Sequence, residues 1–199
     1  MSSKVAIEEH IKESARVKLS LLDHVGSINR AVEILVNTVR DGGRVYSCGN
    51  GGSACDAMHL SEELVARYKM HRPGIPAHHL CDAGVITCWA NDYSFNEIFE
   101  RQVATFVTSK DALVAFSTSG NSINIVKAVE KAKEIGAVSI ALLGKGGGKA
   151  RDIANLSVVV QSDITAHIQE AHIAIVHIIC EQLEMKLFST GGKVSSSLS

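Results

Sequence analysis

His59 and Glu63 lie four residues apart in a stretch with helical periodicity, so both side chains fall on one face of a helix. Glu62, beside them, reads as solvated surface. Far along the chain, Gln169, His172 and His177 interrupt an apolar run containing Ile173, Ile175, Val176, Ile178 and Ile179. Polar groups in so apolar a helix need partners, so they are either satisfied core residues or parts of a site. A carboxylate and an imidazole are the groups that move protons near neutral pH.

Two loops have the composition of anion sites. The first is Gly49-Asn50-Gly51-Gly52-Ser53, where glycine allows left-handed turns and close approach to a ligand. Ser53 then opens a helix, whose free N–H groups favour an anion. The second is Ser117-Thr118-Ser119-Gly120-Asn121-Ser122. One hydroxyl would cap the following helix. Four, at Ser117, Thr118, Ser119 and Ser122, point to a phosphate cradle instead. Neither loop matches the GxxxxGK[ST] or GxGxxG nucleotide motifs. Gly144 to Lys149 reads as a flexible connection.

These groups need a scaffold. Val5 to Leu22 reads as an amphipathic helix with Ile7, Ile11, Ala15 and Leu19 on one stripe. A second helix is predicted from about Ile28 to Arg40, capped by Ser27 and stopped at Gly42-Gly43. Strands follow at Arg44–Cys48, Pro76–Cys81, Ala112–Phe116, Val138–Leu143 and Leu156–Gln161. Helices at Ser53–Tyr68, Ala83–Val107 (broken near Asn91-Asp92), Ser122–Ile135 and Ile164–Phe188 alternate with them. Alternation implies crossovers and a parallel sheet, and the unbroken apolar run Ala112–Phe116 implies cover on both faces. The predicted fold is α/β: a three-layer αβα sandwich, flavodoxin-like, with about five parallel strands and an N-terminal helical hairpin. A single domain spans 1–188, with helices 4–41 packing on it or on a partner subunit. The Gly/Ser/Lys-rich stretch from Ser189 reads as disordered. His78 and His79 fall in the second strand, one expected on each side of the sheet.

The 20 Lys+Arg and 21 Asp+Glu nearly cancel, which gives no bulk electrostatic case for nucleic acid or a membrane surface. Any anionic ligand must be held locally. No apolar run approaches the roughly 20 residues that span a bilayer. The five cysteines show no CxxC spacing, and the polar opening Met1–Lys4 reads as no leader, so reduced thiols in the cytoplasm are expected.

The segments CGNGGSACDAMHLSEEL (48–64), AFSTSGNS (115–122) and TAHIQEAHIAIVH (165–177) resemble the three signatures of bacterial phosphoheptose isomerases, which have the sugar isomerase (SIS) fold. The similarity runs from about residue 30 to 188. It implies an aldose–ketose isomerase converting sedoheptulose 7-phosphate to D-glycero-D-manno-heptose 7-phosphate, which feeds lipopolysaccharide or capsule synthesis. It implies Glu63 as base and His177 as acid, with zinc on His59, Glu63, Gln169 and His177. It places Asn50, Gly51, Gly52, Ser53, Glu63, Asn91, Asp92, Ser117, Thr118, Ser119, Ser122 and Gln169 around the substrate, with Arg67, Asp82 and Asp163 as weaker candidates. It implies a homotetramer with sites at subunit interfaces. Two rivals stay open: another phosphosugar as substrate, or a non-catalytic SIS protein that binds the replication initiator. Such binders lack the residues at Glu63 and His177, both present here.

Overall fold

The computed structural model describes residues 3–189. The stretch expected to be disordered therefore lies, apart from Ser189, outside the described residues. Helix α1 spans Ser3–Leu19, a 3-10 turn follows at Ser20–His24, and α2 spans Val25–Arg40. Then come β1 (Val45–Gly49), α3 (Gly52–Val65), β2 (Ala77–His79), α4 (Ala83–Asp92), a 3-10 turn at Phe95–Glu97, and α5 (Ile98–Phe106). The last units are β3 (Ala112–Ser117), α6 (Ile123–Ile135), β4 (Val138–Leu143), α7 (Gly148–Ile153), β5 (Leu156–Val159) and α8 (Thr165–Phe188).

All strand pairs are parallel, in the order β2-β1-β3-β4-β5. This is the doubly wound order whose direction switches between β1 and β3. One sheet face is covered by α2, α3 and α8, through Leu35, Leu60, Leu64, Ile168 and Ile175 packing on Val114, Phe116, Ile140 and Leu142. The other is covered by α5 and α6, through Phe99, Val103, Ile125 and Val129 packing on Tyr46, Cys48, Leu113 and Ala115. The three-layer sandwich and its five strands are as the sequence predicts. Gly136, in the left-handed region at φ 84°, ends α6 where expected.

The stripe Ile7, Ile11, Ala15 and Leu19 is exposed on this chain, while Val17 on another side of α1 is buried. Three local expectations are corrected. Helix α2 begins three residues early, at Val25, so Ser27 sits inside its first turn. His24, at the end of the 3-10 turn, takes the cap position, and it makes no side-chain cap bond. The rings of His78 and His79 lie parallel with centroids 5.5 Å apart, which the sheet would not allow if it separated them. On this edge strand both rings turn to one side, His78 against Tyr46 and Phe106.

The glycine-rich stretch 144–149 is also not a loose connection. It opens α7, and it is bonded to the serine-rich loop: Ala150 N–H donates to Gly120 O at 2.9 Å and Lys149 N–H to Asn121 Oδ1 at 3.1 Å. The run of glycines hides this, because the 144–149 side contributes only backbone N–H groups and its partners lie about 30 positions earlier.

Candidate active site

The loops after β1 and β3 leave the switch point toward opposite faces, since α3 and α6 lie in different layers. A crevice beyond the carboxyl ends of these strands is where ligands bind in open α/β sheets. Two amides span it: Asn50 Nδ2 donates to Asn124 Oδ1 at 2.8 Å and Asn124 Nδ2 donates back to Asn50 Oδ1 at 2.9 Å. Asn124 was not foreseen; its partner is 74 positions away.

Gly51, at φ 56°, caps α3, and Gly52 begins it. A Cβ on Gly52 would stand 2.5 Å from Gln169 Nε2, so the absence of a side chain lets α8 approach the loop. Ser53 is buried in the first turn. In the second loop the buried Ser117 Oγ accepts from Gly120 N–H at 3.0 Å, and Ser119 Oγ accepts from Asn121 N–H at 3.2 Å. These two hydroxyls shape the turn. Ser122 holds the cap position of α6 but makes no side-chain cap bond. The hydroxyls of Thr118 and Ser122 thus stay free to meet a ligand. Gly120 (φ 63°) presses on the 144–149 segment: a Cβ there would lie 1.8 Å from Gly147 O.

Helices α3 and α8 bring the acid–base groups together. His59 Nε2 lies 3.1 Å from His177 Nε2 and 3.3 Å from Glu63 Oε1. The Glu63 side chain is 14% exposed and that of His59 37%, so the group opens to solvent through His59. Glu62, expected to point elsewhere, has its Oε2 3.6 Å from His59 Nδ1. The His177 ring stacks on Tyr68, with centroids 5.7 Å apart. Asp56, one turn before His59, has a buried Oδ2 with no hydrogen-bond partner among the described residues; burial pushes this carboxyl up to about 6, against the pull of His59.

A clamp fixes the two helices at their far ends. Glu184 of α8 accepts from the N–H groups of Tyr68, Lys69 and Met70, each at 2.9 Å, and from Arg72 Nε at 3.0 Å. Arg72 in turn donates to the carbonyls of Glu63 and Leu64, which end α3. Both side chains are 1% exposed. Burial raises the Glu184 carboxyl, but the three N–H groups and Arg72 outweigh it and hold it below the usual range. Nothing local in the sequence marks this pair.

The remaining candidates sit elsewhere. Gln169 is eight residues before His177, about 12 Å along the helix axis, with its amide at Gly52. His59 lies about 10 Å down α3 from Gly52 by the same rise. Asn91 and Asp92 close α4 on the opposite layer, exposed, with Asn91 Nδ2 donating to Asp92 Oδ1. Asp82 caps α4 by accepting from Val85 N–H, while Arg67 and Asp163 are exposed. His172 is a core residue: its Nε2 lies 3.2 Å from Leu143 O, the end of β4.

The group suits a metal by its own geometry. Ligands bound tetrahedrally at 2.0–2.1 Å stand about 3.3 Å apart, close to the 3.1 and 3.3 Å found around His59 Nε2. The ligand atoms of His59, Glu63 and His177 all lie within 4.8 Å of one another.

Comparison with known proteins agrees with this arrangement. The SIS domain family model matches residues 11–144. The phosphoheptose isomerase of Leptospira biflexa serovar Patoc is 44% identical over 192 residues, 94% of this chain and 98% of that one. Among solved structures, a phosphoheptose isomerase from Francisella tularensis superposes with a TM-score of 0.89 at 35% identity, covering 93% of this chain and all of that one. A phosphoheptose isomerase from Neisseria gonorrhoeae does so with a TM-score of 0.87 at 33% identity, covering 92% and 99%. Likeness of this extent, reaching past the SIS model into the helix that bears His177, places the chain in the phosphoheptose isomerase family of SIS-domain proteins.

Proposed function

We propose that this protein isomerises sedoheptulose 7-phosphate to D-glycero-D-manno-heptose 7-phosphate, supplying heptose for bacterial lipopolysaccharide or capsule. The observation that carries the reading is the meeting of Glu63, His59 and His177 between α3 and α8. Relatives named phosphoheptose isomerase support the substrate class. The initiator-binding alternative has no use for a carboxylate held against two imidazoles.

Glu63 takes the proton from the carbon beside the substrate carbonyl, and the same carboxyl returns it to the neighbouring carbon. His177 gives and recovers the proton at the oxygens, so the intermediate enediolate never builds a full unshielded charge. His59, Glu63 and His177 would hold zinc, whose chemistry when bound is to polarise the carbonyl and stabilise negative oxygen. Gln169, placed against Gly52, serves the substrate in one chain and reaches the metal only as a fourth ligand from a shifted or neighbouring α8. Thr118 and Ser122, with the turn shaped by Ser117 and Ser119, take the phosphate. Asn50, Gly51, Gly52, Ser53, Asn91 and Asp92 complete the proposed substrate contacts.

The phosphate loops and the acid–base group are separated along α3 by about 10 Å or more. That separation supports a site completed between subunits of a homotetramer. So does a groove of about 480 Å³ lined by Leu19, Leu22, Val25, Ile28, Ala174 and Ile178. An apolar surface of this kind marks association. Among the described residues no helix is long and apolar enough to cross a membrane, which fits the proposed cytoplasmic setting. The domain assignment 1–188 stands as part of this reading.

Incubating the protein with sedoheptulose 7-phosphate and following the product by NMR tests the reaction. Formation of the heptose 7-phosphate is expected. Turnover of a five- or six-carbon phosphate in its place would move the assignment to another phosphosugar.

A further inference from the structure

A second cluster of ligating side chains lies outside the candidate active site. His10 on α1 and His167 and Glu170 on α8 place their ligand atoms within 4.8 Å of one another. His167 and Glu170 are spaced i, i+3, which puts them side by side on the first turns of α8. His10 comes across from α1, with its ring centroid 4.5 Å from that of His167 at 51°. The cluster is some 15 Å along α8 from His177 by helical rise, so the two groups do not share a ligand.

Packing alone explains this cluster poorly. His167 is 2% exposed, yet its Nδ1 is buried with no hydrogen-bond partner among the described residues. Glu170 Oε2 stands 3.5 Å from it, beyond a good hydrogen bond. A buried ring nitrogen without a partner is costly and rare. Glu170 is itself oriented, because Ser14 Oγ donates to its Oε2. Hydrogen bonds to a ligating carboxylate from outside are the usual support of a metal site. His10 is exposed, which gives an ion a way in.

We infer that His10, His167 and Glu170 form a second metal site, taking a divalent first-row ion of the zinc or cobalt class and tying α1 to the first turns of α8. Two imidazoles and a carboxylate are a ligand set for such ions, with a fourth position left to water. Because Gln169 sits between His167 and Glu170 in sequence, the bound ion would also steady the turn that offers Gln169 to the Gly52 loop. The site rests on residues the proposed reaction does not use.

The test is equilibrium dialysis of the full chain against zinc, followed by metal analysis, for the parent and for His10→Ala. The exposed His10 position makes an unfolded variant easy to recognise by circular dichroism. The parent should hold one more ion per chain than His10→Ala. Glu170→Gln should weaken the same ion at least about tenfold. A His59→Ala/His177→Ala protein should retain it and show the visible absorption of a four-coordinate ion when loaded with cobalt. Equal stoichiometry and affinity in parent and His10→Ala would overturn the site. So would a His59→Ala/His177→Ala protein that is folded and binds neither metal.

Discussion

His59 and His177 are 118 positions apart in sequence, yet their Nε2 atoms face each other at 3.1 Å. Both nitrogens border the space that Glu63 Oε1 also borders. That is an arrangement for holding an electrophile and moving a proton beside it. The spacing depends on α3 and α8 staying in register, and the Arg72–Glu184 clamp is what fixes their far ends.

Arg72→Met should therefore destabilise the fold by about 3–5 kcal/mol, because it strands the buried Glu184 carboxylate. Urea unfolding of the variant measures this. Activity per folded molecule should fall as well, since the end of α3 loses the donors on Glu63 O and Leu64 O. A loss below 1 kcal/mol would show that the pair is not a clamp.

His172 gives the stability a pH dependence of known sign. Burial pulls its imidazole down to about 4 from an ordinary 6.5, only partly offset by the bond to Leu143 O. The unfolded ring takes its proton near 6.5 and the native ring only near 4, so between these values the unfolded state binds more protons. Stability should fall as pH drops through that window, by on the order of 3 kcal/mol for this group. His172→Leu should flatten the difference between pH 6.5 and 4 in denaturation curves, whatever it does to stability at neutral pH.

Gly120→Ala should disturb the phosphate loop, because its Cβ would meet Gly147 O at 1.8 Å and its φ of 63° suits glycine. A shift of about 1 Å in a binding loop costs on the order of 100-fold in kcat/KM, and most of it should appear in KM. Gly26→Ala, with nothing within 4 Å of the new Cβ, is the control and should leave both constants unchanged.

The sheet was legible in the sequence because a strand buried on both faces is an uninterrupted apolar run, as in Ala112–Phe116 and, past Ser139, Ile140–Leu143. The His59/Glu63 pair was legible because both are on one helix. What lay hidden depends on tertiary contacts. The side of α1 toward α8 carries His10, Ser14 and Val17, less apolar than the exposed Ile7 and Ile11, so periodicity alone did not say which side of α1 meets this chain. The Arg72–Glu184 pair spans 112 positions. Asp56 could have been found as the residue three before His59 and seven before Glu63, the same helical face. Glu62 is exposed, as the sequence reading has it, with its Oε2 3.6 Å from His59 Nδ1.

The most direct test of the central claim is the turnover of sedoheptulose 7-phosphate by Glu63→Gln, followed by NMR beside the parent protein. The variant should fold normally and lose at least about 100-fold in kcat, the lower end of what a positioned base contributes. A folded Glu63→Gln protein with parental turnover would contradict the account, because among the described residues no other carboxylate pairs with His59 Nε2.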